Sequence, residues 1–237
     1  MGIAEDLDEN VKRIINAKWD VRVGRQVPGS DDVALESGGV GLDATVLYAD
    51  LSESSKLATD LYRRTASKVI KCFLYCASRI IAGDQGTITA FDGDRVMGMF
   101  IGDSRNSNAA KCALKINYAV RKIIKPRLTE HFVSLRDSGF EIRHAVGVDT
   151  SSILAIRAGL RGSNDLVWIG RAPNLAARLS SIREENYGSY ITDDVFQHMG
   201  EESKFGGEQH RLMWDPRSFE WIGEKWSIHS SSWTWKP

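Results

Sequence analysis

Ala44-Thr-Val-Leu-Tyr-Ala-Asp50 and Thr87-Ile-Thr-Ala-Phe-Asp-Gly-Asp94-Arg-Val-Met-Gly-Met-Phe100 are the two stretches whose reading decides the fold. Both are rich in β-branched and aromatic residues, and both deliver an aspartate to a strand end. Asp50 closes the first run. Asp94 sits in an Asp-Gly-Asp turn between two apolar runs, a strong hairpin signal. Two carboxylates at neighbouring strand ends are the oxygen donors that Mg²⁺ or Mn²⁺ takes, with substrate phosphates completing the shell. Taken singly, each aspartate reads equally well as an ordinary turn residue, so the flanking chain has to distinguish the two.

Outward from these runs, residues 45–49 predict a core strand and residues 54–81 a long helix. The apolar positions of that helix, Leu57, Leu61, Ala66, Val69, Phe73, Cys76 and Ile80, fall mostly three to five apart. Ser52, Ser54 and Ser55 ahead of it are natural N-cap types. They put Asp50 just before a helix N-terminus, where backbone N–H groups favour phosphate oxygens. A second helix is expected over 108–125, stopping before Pro126. Strands are expected at 141–148, 153–160, 166–169 and 189–192. Helices are expected at 174–182 and at 193–199, the latter capped by Thr192. The tail carries Trp214, Trp221, Trp226, Trp233 and Trp235, with strand-like alternation around Phe219 and Trp226, and reads as core or dimer packing. Residues 1–42 form a lead-in with a short amphipathic helix over 8–19 and a Gly/Pro-punctuated loop, a segment suited to dimer packing; residues 43–237 form the main domain. The order, β-α-β-β-α-β-β-α plus extra strands, predicts an α+β sandwich with helices over one face of a sheet.

Composition narrows the class. The chain has 237 residues, 42% hydrophobic and 26% charged, with a formal net charge of zero. No global field favours nucleic acid or a membrane surface, and no apolar run approaches the ~20 residues of a membrane span. Cys72, Cys76 and Cys112 are an odd set without histidines nearby, which points to core packing in a reducing cytoplasm.

Three blocks carry a family resemblance. Thr45-Val-Leu-Tyr-Ala-Asp50-Leu-Ser, Phe91-Asp-Gly-Asp94-Arg-Val-Met-Gly-Met-Phe and Val167-Trp-Ile-Gly-Arg-Ala-Pro-Asn174-Leu-Ala-Ala-Arg178-Leu stand in this order. Over about residues 43–183 the chain resembles the class III nucleotidyl cyclases, the adenylate and guanylate cyclase family. The spacing makes chemical sense by itself: Asn174 and Arg178, four apart, share a helix face. Arg178 offers forked donors to a phosphate gaining charge, and Asn174 can hold a ribose oxygen. The resemblance implies a mainly antiparallel sheet covered by helices around a ferredoxin-like core. It implies two Mg²⁺ or Mn²⁺ ions per site on Asp50, the Leu51 backbone carbonyl and Asp94. It implies a triphosphate held by the segment containing Ser52, Ser54 and Ser55, with Lys225 as a late phosphate ligand. It also implies a homodimer with composite sites, Asn174 and Arg178 acting across the interface. The chain departs from the family pattern at Glu53, where Gly is common, and at Ser54, where Phe is common.

Purine cyclases of this family read the base four residues before the second metal aspartate and seven before the Asn. Here those positions are Ala90 and Val167, neither able to hydrogen-bond through its side chain. Intact triphosphate machinery without a purine reader resembles the bacterial pyrimidine cyclases of Pycsar antiphage defence, and Arg22-Val-Gly24-Arg-Gln-Val27-Pro28 resembles their N-terminal signature. That group makes cyclic UMP or cyclic CMP, which activates a separate effector. UTP is the expected substrate and CTP the alternative, with Tyr48, Asp92, Arg95 and Arg171 as polar groups near the blocks. An ordinary purine cyclase and a degenerate nucleotide-binding signalling domain remain the competing readings.

Overall fold

Alternation along one strand sets the layers of the molecule. Leu47, Ala49 and Leu51 enter a large apolar core, so Tyr48 and Asp50 between them face the other side. The computed structural model describes residues 2–60 and 63–237, without the side chains at 55, 58 and 60. In chain order it has α1 (Ile3–Asn16), β1 (Val21–Val23), β2 (Gly39–Leu51), α2 (Ser54–Asp60), α3 (Arg63–Gly83), β3 (Thr87–Asp92) and β4 (Arg95–Phe100). Next come α4 (Arg105–Tyr118), a π-helical turn (Ala119–Ile124), α5 (Lys125–His131), α6 (Val133–Asp137), β5 (His144–Leu160), β6 (Ser163–Gly170) and α7 (Arg171–Leu179). The last elements are β7 (Ser189–Thr192), α8 (Asp193–His198), α9 (Glu201–Lys204), β8 (Phe205–Gly206), β9 (Arg211–Leu212), β10 (Asp215–Trp221) and β11 (Glu224–Ser231).

The chain divides into two units, Met1–Asp43 with Ser152–Gly170, and Ala44–Ser151 with Arg171–Pro237. In the larger unit the strands run β10-β11-β7-β5-β2-β4-β3. β10 with β11, β11 with β7, β2 with β4 and β4 with β3 pair antiparallel, and β5 with β7 pairs parallel. On one face Leu47, Leu51, Val96, Phe100, Val146 and Val148 meet Val69, Phe73 and Ile81 of α3 and Ala113 and Leu114 of α4. On the other, Ala145, Tyr190 and Ile228 meet Leu175 and Leu179 of α7. The helices are therefore shared between both faces, not gathered on one. Gly147 explains how α7 lies so close: a Cβ there would stand 2.1 Å from the Ala176 carbonyl oxygen and 2.5 Å from the Ser180 nitrogen. In the smaller unit β1 runs parallel to the start of β2, and residues 153–160 pair antiparallel with β6. Along α1 the apolar residues Ile3, Leu7, Val11, Ile14 and Ile15 are exposed.

Several expectations need correction. The first helix begins at Ile3, where the Gly2 nitrogen donates to Glu5 Oε2 at 2.9 Å. The strands expected at 141–148 and 153–160 are one continuous strand, β5, and its hairpin partner is β6. The helix expected to stop before Pro126 instead passes through the π-helical turn into α5, where Pro126 stands in the first turn. Proline has no N–H to give, so the ladder of the continuous helix is interrupted at that point, next to the wide turn. The expected helix over 54–81 is described as α2 and α3, with residues 61 and 62 outside the description. Thr192 does not cap α8 with its side chain; its hydroxyl donates to Asp149 at 2.7 Å. Cys72 and Cys76 do pack against the core, as the lack of histidines nearby suggested. Trp214 is fully buried in that core, and Trp233 and Trp235 pack against it. Among the described residues no helix is long and apolar enough to cross a membrane.

Two consequences can be measured. Gly147→Ala forces α7 away from β5, because backbone atoms, not flexible side-chain ends, stand in the way. We expect a loss of about 2 kcal/mol or more in urea unfolding; unfolding like wild type would show that the close approach is not a constraint. His144, at the head of β5, is 7% exposed, and burial, with Arg121 nearby, pulls its pKa down to about 3. The folded state keeps this ring neutral while the unfolded chain protonates near the ordinary value. Its contribution to stability is therefore complete above about pH 6.5 and is lost as pH falls from there towards 3. We expect wild type to lose about 2 kcal/mol more than His144→Leu between pH 8 and pH 5. Equal pH dependence of the two would rule out a neutral buried histidine.

Candidate active site

The geometry of the site begins with strand register. Across β2, β4 and β3 one row holds Asp50, Arg95 and Asp92, and the next row holds Tyr48, Met97 and Ala90. Residues directly opposite on paired strands share a face, and so do residues two apart on one strand. All six therefore line one side, the side that also carries α7. Beyond the Asp92–Arg95 pair the chain turns through Gly93 and Asp94. Gly93 has φ 62° while Asp94 stays outside the left-handed region, the pattern of a two-residue type II′ turn. The turn sets Asp94 beside the cross-strand neighbour of Asp50.

Electrostatics ties the two carboxylates together. Burial first, and the charge of Asp94 in addition, push the Asp50 pKa above the usual carboxylate range, against the pull of Arg183 and Arg95. Arg183 Nη2 donates to Asp50 Oδ2 at 2.6 Å, and Arg95 Nε lies 3.9 Å from Oδ1. Asp94 Oδ2 is buried and has no hydrogen-bond partner. A buried, unpartnered carboxylate oxygen beside a second carboxylate is a donor set that fits a hard divalent cation. Among the described residues no group of three or more Asp, Glu, His or Cys forms another such centre. Arg183 was not found from the sequence. It stands in a polar loop five residues after Arg178, with nothing in its local pattern to mark it, and reaches Asp50 across a separation of 133 residues.

Leu51 ends β2 with its side chain in the core, so its backbone is the part available to the site. Ser52 is buried, and its N–H donates to the Arg143 carbonyl at 2.9 Å. That main-chain donor is committed and is not open to a phosphate. Glu53, at the position where the family has Gly, holds φ 58°. A left-handed glutamate is strained by roughly 1 kcal/mol or more, and the strained residue accepts the Leu57 N–H that starts α2. Ser54 opens α2; the side chain of Ser55 lies outside the described residues.

On α7, Leu175, Ala176 and Leu179 are buried while Asn174 and Arg178 are exposed together on the opposite side. Arg178 has no carboxylate partner among the described residues, consistent with a guanidinium kept for an anion. Arg171 is placed differently. Its Nε and Nη2 donate to Asp149 at 2.9 and 3.1 Å, and Nη2 also donates to the Thr150 carbonyl and to Asp194. Its donors are held by the protein, which gives it a structural role rather than one in reading a base. Burial raises the Tyr48 pKa, with Arg95 and Asp92 as smaller opposing influences, so its phenol stays protonated. Val167 lies on β6 in the smaller unit and is 44% exposed. Lys225 is exposed on β11, paired with Glu220 in register, and no contact joins it to the groups above.

No protein-family model matches the chain. In sequence it is similar to three uridylate cyclases. That of Rhodovulum sp. (strain MB263) is 43% identical over 237 residues, 100% of this chain and 99% of the relative. That of Burkholderia cepacia is 40% identical over 99% of each chain. That of Xanthomonas perforans is 37% identical over 100% of this chain and 99% of the relative. In fold it is similar to the guanylyl cyclase Cya2, with TM-score 0.68 and 17% identity over 84% of this chain and 96% of that one. It is also similar to the adenylyl cyclase CyaB from P. aeruginosa, with TM-score 0.62 and 22% identity over 81% and 94%. The expected architecture, a mainly antiparallel sheet flanked by helices, is thus the one observed.

Arg183 and a divalent cation want the same oxygen of Asp50. Replacing Arg183 by Gln removes the competitor and its positive charge. We expect Mn²⁺ binding, followed by calorimetry on the full chain, to tighten by about threefold to tenfold, the range for a partly exposed charge-assisted hydrogen bond. Weaker Mn²⁺ binding in Arg183→Gln would instead make the arginine a support for the metal-bound form.

Proposed function

The chain belongs to the uridylate cyclase family, a set of nucleotide cyclases, and on that premise we propose that it converts UTP to 3′,5′-cyclic UMP and pyrophosphate. We place the activity in a bacterial antiphage (Pycsar) system, in the cytoplasm, with the cyclic nucleotide activating a separate effector. The observation that carries the substrate reading is the row Tyr48–Met97–Ala90 beside Asp50–Arg95–Asp92. Where a purine cyclase carries a polar base reader, this chain has the methyl group of Ala90. The polar groups left around it are a protonated phenol, a guanidinium and a carboxylate. They match uracil, which offers carbonyl acceptors on either side of an N3–H donor: Tyr48 and Arg95 donate, and Asp92 accepts. Cytosine presents the reverse at positions 3 and 4 and would leave the phenol and carboxylate mismatched, at a cost of unpaired polar groups.

The reaction asks four things of the protein. Asp50, the Leu51 carbonyl and Asp94 would hold two Mg²⁺ or Mn²⁺ ions, which would supply Lewis acidity at the 3′-hydroxyl and neutralise triphosphate charge. The segment after Leu51, through Ser54 and Ser55, meets the phosphates, with Lys225 as a more distant cation. Asn174 orients the ribose so that O3′ faces the α-phosphorus. Arg178 stabilises charge on the α-phosphate oxygens as it builds. The proton of O3′ is lost, the O3′–P bond forms, and the bond from that phosphorus to the bridging oxygen breaks, with pyrophosphate leaving. Asn174 and Arg178, exposed side by side, complete the site of a second copy, so the working form is a homodimer with two composite sites. The lead-in, 1–42, adds to that dimer contact through the apolar side of α1.

Purified protein offered each of the four ribonucleoside triphosphates with Mn²⁺ should make cyclic UMP fastest. A predominance of cyclic AMP or cyclic GMP would sink the reading of Ala90, and a predominance of cyclic CMP the assignment of Tyr48 and Asp92. Asp50→Asn and Asp94→Asn should each lower turnover by at least about a thousandfold with near-native unfolding curves.

A further inference from the structure

A cavity of about 110 Å³ lies in the larger unit, walled by the π-helical turn, the start of β5 and residues 184–188. No step of the proposed reaction uses it. Its volume suits one small ion, since pockets for drug-sized ligands run to roughly 300 Å³ or more.

Its lining carries three cations, Arg121, Lys125 and Arg143, and three carboxylates, Glu141, Glu184 and Glu185; Arg217, pairing Glu184 from outside the lining, leaves one cation over. Glu141 is paired with Lys125 and Arg143, Glu185 with Arg143, and Glu184 with Arg217. Each carboxylate is thus already matched. Arg121 also lines the cavity, and its Nη1 donates to the Ser232 carbonyl at 3.1 Å; it has no carboxylate partner among the described residues. His144 closes the floor. It is more than nine-tenths buried, and its Nε2 has no hydrogen-bond partner. A buried unpartnered ring nitrogen, which donates in the Nε2–H tautomer of the neutral ring, beside a guanidinium without a carboxylate makes a pair of groups suited to one acceptor. The π-helical turn that presents Arg121 is a rare local form, found disproportionately at functional sites.

The cavity is also joined to Asp50 by two short links. The Arg143 carbonyl receives the Ser52 N–H, two residues past Asp50. Arg183, which holds Asp50, is the residue before Glu184 in the cavity wall. We propose that this cavity binds one small oxyanion, of the phosphate or carboxylate class, on Arg121 and His144, and that its occupation changes turnover through Ser52 and Arg183. The second half rests on the cyclase reading; the first does not.

The test titrates inorganic phosphate, and separately acetate, into the full chain by calorimetry at constant ionic strength. Wild type and Asp50→Asn should each bind one anion per chain saturably. Arg121→Gln, an exposed substitution, should weaken that binding about tenfold, the loss of one charge-assisted hydrogen bond. Absence of saturable binding by both anions, or equal binding by wild type and Arg121→Gln, overturns the site. Binding lost in Asp50→Asn but kept in Arg121→Gln puts the anion on the catalytic face and overturns it too. In the rate assay the bound anion should change wild-type turnover, while Arg121→Gln keeps the basal rate and does not respond. A wild-type rate indifferent to an anion that binds overturns the coupling alone, and the binding result needs no turnover of any substrate.

Discussion

A fully buried carboxylate, Asp149, fixes the part of this molecule that matters for its chemistry. It accepts two hydrogen bonds from Arg171 and one from Thr192. Burial nevertheless raises its pKa above the usual range, so the pair offsets only part of the cost of placing charge inside the protein. Losing either partner would leave a buried charge unmatched, which is why such a pair specifies a position more than it adds stability. What it specifies is the first residue of α7. With Arg171 pinned to β5 and α8, and Gly147 admitting the helix backbone, Asn174 and Arg178 have one place to stand.

The same face carries an internal tension. The charge of Asp94 adds to the cost of ionising the buried Asp50, and two arginines on Asp50 relieve it. The protein without metal is thereby kept from carrying two bare carboxylates side by side. Glu53 adds strain immediately beyond, in a backbone conformation that glycine would hold at no cost. Strain and charge crowding thus concentrate in a few residues at the end of one strand, where the rest of the sheet over-determines them.

What the chain revealed in advance, it revealed through local rules. The apolar run of β-branched and aromatic residues that ends at Asp50, the Asp-Gly-Asp turn and the four-residue spacing of Asn174 and Arg178 each survive intact in the structure, because each depends on neighbours in sequence. Local rules failed where distant residues decided. β5 is one strand that pairs with β7 up to Val148 and with β6 from Ile153, and no pattern inside residues 149–152 announces that the strand runs on between them. Thr192 has the residue type of a cap, yet a buried carboxylate 43 residues away takes its hydroxyl. Arg183 is invisible for the same reason: its meaning lies entirely in Asp50. Arg171 read from sequence only as a polar group near the blocks, because Asp149 cannot be seen as its partner until β5 and α7 are folded together.

The π-helical turn Ala119–Ile124 has a consequence of a different kind. The Lys125 N–H reaches back five residues to the Val120 carbonyl, where an α-helix would reach four. Such a turn holds one residue more than its neighbours do. Remove one residue from it and the helix becomes regular, while everything after it keeps its facing, because the wide turn had taken in the extra residue without turning further. Lys125 would stay near Glu141 and Leu128 in the core. This is therefore the one place in the helix where a change of length by a single residue disturbs the elements beyond it least. Its history is written in length, and a lineage could gain or lose that one residue here without rebuilding the helix that follows.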